Sequence, residues 1–165
     1  MIDPQNALLA LVPLLFIAVW VGALSLVARL DGWTRLAAAY RMWEPFEGYR
    51  KWFASGSLLR GGSSFGFPWN YDGCLIVGAN ADGLSVAVLP PFRPGHPPLF
   101  IPWRDVTAQV KKGWLRTTAI LTFRQVPAVR LRVSLGLARW AVEDAGAAAT
   151  HSLNLTDDQL HAPQH

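Results

Sequence analysis

The chain has 165 residues, of which 52% are hydrophobic and 16% charged, with a net charge of +4 and a pI near 9.7. The positive excess is modest and scattered, with no basic run, zinc motif or recognition-helix pattern, which argues against nucleic acid as a partner. A lone cysteine, Cys74, excludes an intrachain disulfide and gives no sign of an oxidising compartment.

The first element is the run Ala7–Val27, ALLALVPLLFIAVWVGALSLV, with no charge until Arg29. A hydrocarbon core about 30 Å thick needs roughly 20 helical residues, so a transmembrane helix is expected over 7–28. A cleaved signal peptide fits poorly, because the start MIDPQN lacks Lys and Arg, the run is too long, and no A-x-A pattern closes it. Pro13 falls in the early turns, where a missing backbone donor costs least, and Ala18, Gly22 and Ala23 would let another helix approach. Arg29, Arg35, Arg41, Arg50 and Lys51 follow the run and no basic side chain precedes it. The positive-inside rule then places the N-terminus outside and the remainder in the cytoplasm, with Trp33, just past the span, as the expected interfacial anchor.

Residues 31–51 read as an amphipathic helix and a connector. Trp33, Leu36, Ala37 and Tyr40 recur at i, i+3, i+4 and i+7, a stripe that suits either the membrane surface or the flank of a domain. From Trp52 the period falls to two. Strands are expected at 52–60, 71–79, 83–89, 99–103, 106–112, 114–124 and 127–135, about seven in sequential antiparallel order. The turn-rich Asn80-Ala81-Asp82 marks a hairpin, whereas PPFRPGHPP (90–98) is a rigid loop. Inward positions are Val106, Ala108 and Val110, then Leu115 to Phe123 at every second residue, then Val129, Leu131, Val133 and Leu135. A helix follows over 137–149 with Ser134 as its N-cap, so the β domain extends over 52–149. The polar residues 150–165 read as a disordered tail.

A seven-stranded antiparallel order with one C-terminal helix resembles pleckstrin-homology-like and GRAM-like domains. The resemblance implies a PH-like partly open barrel with the helix plugging one end. More locally, DGWTRLAAAY after a single span, followed by GLSVAVLPPFRPGHPPLFIPWRDV, is similar to a group of small bacterial membrane proteins of uncharacterised function. That likeness implies a single-pass protein of the bacterial inner membrane and assigns no catalytic residue.

Side chains able to do chemistry are sparse. His96, between Gly95 and Pro97, is expected to be exposed or to brace its loop, and no metal-ligand spacing surrounds it. Cys74 lies in an apolar strand as an inert thiol, and Asp105 suits a turn bond to backbone. GGSSFGF (61–67) lacks the Lys-Ser/Thr ending of a phosphate loop, and Asn154-Leu155-Thr156 is a glycosylation pattern too short to carry weight. No catalytic residue, metal or cofactor is therefore expected. The basic positions lead instead: Lys111, Lys112 and Arg116 at a hairpin end, with Arg130 and Arg132 on outward positions of the last strand. The reading is a membrane-anchored, non-enzymatic module that binds another membrane or cytoplasmic protein, the alternative being anionic lipid headgroups on that basic patch.

Overall fold

The architecture is that of a computed structural model, which describes residues 4–61, 69–114 and 116–146. Helix α1, Pro4–Leu30, is long enough at about 1.5 Å per residue to cross a bilayer. Of its most apolar stretch, Leu11–Leu30, only 6% is buried against the rest of the chain, unlike a core helix. Its last turn is tied down. Arg60 Nη1 donates to the Leu30 carbonyl at 3.0 Å and Thr34 Oγ1 to that of Ala28 at 3.0 Å, pairing carbonyls the helix itself leaves open.

Gly32 then reverses the chain at φ 97, and a Cβ there would stand 2.7 Å from Val129 Cγ2. Helix α2, Trp33–Tyr40, follows at once and buries Trp33, Leu36 and Tyr40. The apolar stripe thus faces the domain rather than lipid. Trp33 is a correction to the expected interfacial anchor: it is 1% exposed, and its indole N–H donates to the Pro97 carbonyl at 2.9 Å. Because α2 folds back under the sheet, the ring is taken into the core.

Seven strands make one antiparallel sheet, curled into a half-barrel. They are β1 (Tyr49–Arg60), β2 (Trp69–Ala79), β3 (Gly83–Val88), β4 (Leu99–Pro102), β5 (Val106–Lys112), β6 (Thr117–Phe123) and β7 (Val129–Ser134). The order is β4-β3-β2-β1-β7-β6-β5. Consecutive strands pair as expected except at one place: β4 and β5 are the two edges, and β7 returns to lie against β1 from Gly56↔Val133 to Arg60↔Val129. Helix α3, Leu135–Ala145, closes the concave face, and Ser134 caps it by accepting from the Leu137 amide at 3.2 Å. Inward alternation is as expected, with Val129, Leu131, Val133, Ala119, Leu121 and Phe123 all buried. The Gly-rich loop over 62–68, Leu115 and the tail over 150–165 lie outside the described residues.

Candidate functional site

The β5–β6 hairpin carries the predicted basic positions. Lys111, Lys112 and Arg116 are exposed around its tip, and between them Trp114 is 99% exposed. Register extends the patch across the outer face. Lys111 pairs with Thr118 and Thr118 with Ser134, while Gln109 pairs with Ile120 and Ile120 with Arg132. Alternation therefore places Lys111, Arg132 and Arg130 on one side of the sheet, with Val129, Leu131 and Val133 on the other. Arg130 is partly committed, since its Nη2 donates to the Gly61 carbonyl at 3.0 Å. The tip stands at the end of the ladder remote from α1: Val129 meets Gly32, and Ser134, level with Lys111, is about 17 Å further along the strand.

Strand β1 adds aromatic surface at a similar level. Its pairing with β2 skips between Lys51 and Ala54, so Trp52 and Phe53 bulge from the ladder. Both are exposed, and Phe53 holds a positive φ of 57. That conformation disfavours a bulky side chain. Beside them, Lys51 Nζ sits 4.7 Å from the Trp140 ring of α3.

A second cluster lies buried where α1, α2 and the β3–β4 loop meet. Asp31 is 0% exposed and His96 1%. Asp31 Oδ1 accepts from the Trp33 amide at 2.7 Å, and its Oδ2 accepts from the Tyr71 hydroxyl. The same hydroxyl lies 2.9 Å from His96 Nε2, while His96 Nδ1 donates to the Pro94 carbonyl at 3.0 Å. The Trp33 ring stands edge-on to the imidazole at 5.2 Å. One hydroxyl proton is shared between two neighbours, so two placements satisfy every group. An ionised Asp31 accepts from Tyr71 while a doubly protonated His96 donates to it, or a protonated Asp31 donates to Tyr71, which donates to a neutral His96. Both hold the same number of protons and no net charge, which lowers the cost of burying the carboxyl. Burial, then the Asp31 carboxylate, push the Tyr71 phenol far above its ordinary range, so it keeps its proton. His96 braces its loop as expected, but from the core.

Sequence reasoning missed this cluster because Asp31 and Tyr71 lie 40 positions apart and His96 a further 25 along the chain. A charge directly after an apolar run and a histidine caged by prolines were the available signals. Asp105 also differs from expectation. Its carboxylate bridges to side chains beyond β6, accepting from Gln125 Nε2 at 2.8 Å and facing Arg124 Nε at 3.0 Å, rather than bonding the local backbone. These partners, the Gln125 bond first, hold its carboxyl below the usual carboxylate range. Cys74 is half-buried and burial pushes its thiol up, which leaves it a poor nucleophile. Among the described residues no group of three or more His, Cys, Asp or Glu is arranged to hold a metal ion. A small cavity under α3 is lined by apolar side chains such as Val77, Leu121 and Leu137. Comparison with protein-family models, curated proteins and solved structures finds no match for this chain.

Proposed function

We propose that this is a single-span protein of a bacterial inner membrane that presents its β domain to the cytoplasm and uses it, without catalysis, to bind a protein partner. The observation that carries this reading is Trp114, fully exposed at a hairpin tip and flanked by Lys111, Lys112 and Arg116. A large aromatic ringed by cations suits a partner offering an apolar pocket with an acidic rim, the pattern of an interface hot spot. The edge of β5, which has no neighbouring strand on that side among the described residues, lies beside the same tip and offers main-chain groups to an added strand. Orientation rests on the basic residues that follow the span. The likeness to PH-like domains and to small single-span bacterial proteins agrees with it.

A photo-crosslinking amino acid at Trp114 of the full-length protein in its native membrane tests the reading. Adducts with one acidic protein, lost in a Lys111→Glu, Lys112→Glu variant, are the expected result. Adducts with anionic lipid instead favour headgroup recognition by the same cations. Absence of any specific adduct overturns both.

A further inference from the structure

The β3–β4 loop runs along the side of α1. The Trp20 indole N–H donates to the Pro91 carbonyl at 3.0 Å, and its ring meets that of Phe92 at 5.9 Å. Nearer the domain, a Cβ on Gly95 would stand 2.7 Å from Ser25 Cα, so loop and helix backbones touch. The loop is fixed at its far end by His96. Trp20 lies about 15 Å along the helix from Leu30. On the uncovered side of that stretch, Leu26 and Leu30 expose 56% and 47% of their surface. Apolar side chains so exposed down to Leu30 carry the hydrocarbon boundary past the level at which Pro91 and Phe92 sit.

The loop's own backbone suits such a place. The Leu89 amide donates to the Cys74 carbonyl, Phe92 to Leu89, and Arg93 to Pro90, while Pro90 and Pro91 have no N–H. Every backbone donor from Leu89 to Arg93 is thus paired or absent, which is what a segment leaving water requires. We propose that Leu89–Phe92 is a second membrane contact: an apolar wedge seated beside α1 among the acyl chains of the leaflet facing the domain. Arg93, the next residue, is exposed. The inference rests on the reading that α1 spans the bilayer.

The test uses the full-length chain with Cys74→Ala and single cysteines at Phe92, Leu15, Leu26 or Lys111. Each is labelled with an environment-sensitive fluorophore and reconstituted into phosphatidylcholine–phosphatidylglycerol vesicles. Iodide should quench the Phe92 probe about fivefold less than the Lys111 probe, and lipids with a shallow nitroxide should quench it strongly. Iodide quenching at Phe92 equal to that at Lys111, with Leu15 protected, overturns the wedge and leaves the span standing. Protection from iodide without quenching by nitroxide lipid also overturns it, pointing to a covering protein. Exposure of Leu15 itself removes the span and the wedge together.

Discussion

Tyr71 shows how much can hang on one hydroxyl. It is the sole polar atom its side chain brings to a pocket that also buries Asp31 and His96, and it links the two. Tyr71→Phe leaves His96 Nε2 and Asp31 Oδ2 without that partner, so a loss of about 1–3 kcal/mol is expected in denaturant unfolding of the detergent-solubilised protein. Asp31→Asn should behave differently. The amide oxygen can still accept from Trp33 and its NH₂ can donate to Tyr71, the arrangement of the neutral placement, so the expected loss is under about 1 kcal/mol. Equal losses in the two variants would refute the shared-proton account. Asp105 gives the acid side of the stability curve. Its carboxyl titrates lower folded than unfolded, so its contribution is present above about pH 4 and fades as pH falls through the folded value. Unfolding midpoints measured across that window should depend less on pH in Asp105→Asn than in the parent chain.

At the level of elements, the β3–β4 loop and α1 fit only because Gly95 has no side chain. Gly95→Val would press into the Ser25 backbone at φ 77, and the loop must lift from the helix. Accessibility of a cysteine at Pro91 to a membrane-impermeant maleimide should then rise severalfold, whereas unchanged accessibility would show that the helix yields instead. Much of this level was legible in the residues. Alternation gave the strands and their inward faces, and Ser134 gave the start of α3, because local pattern and cap chemistry determine both. The destination of α2 was not legible. Trp33, Leu36 and Tyr40 form a stripe that lipid and protein core accept equally, since both exclude water. Nor was the β1–β7 pairing, which depends on closure across nearly seventy residues of intervening chain. The candidate site was half legible: the cations of the hairpin showed in the sequence, but the strained bulge at Phe53 and the buried cluster arise only when distant segments meet.

Taken whole, the molecule does not divide cleanly into an anchor and a tethered domain. Ala28 is part of the core, Asp31 completes the buried cluster, and Arg60 holds the end of α1. A chain beginning at Leu24 should therefore keep dispersed amide resonances in detergent, while one beginning at Trp33 should lose them, since it leaves Tyr71 and His96 without Asp31. Dispersed spectra from the shorter chain would restore the picture of a separable domain.

The central place of β1 sets a timetable for biosynthesis. The ribosome delivers α1 and then β1 to β4 long before β7, so one flank of β1 waits without a mate while the β5–β6 hairpin is still being made. An unmated strand recruits other chains when they are near enough to collide. On the proposed reading of α1 as a span, its insertion during translation would hold each nascent chain to a patch of bilayer and keep that vacant flank from free encounters in solution. On that reading the span aids folding before it serves as an address, and a version of the chain lacking α1 should aggregate during synthesis rather than after it.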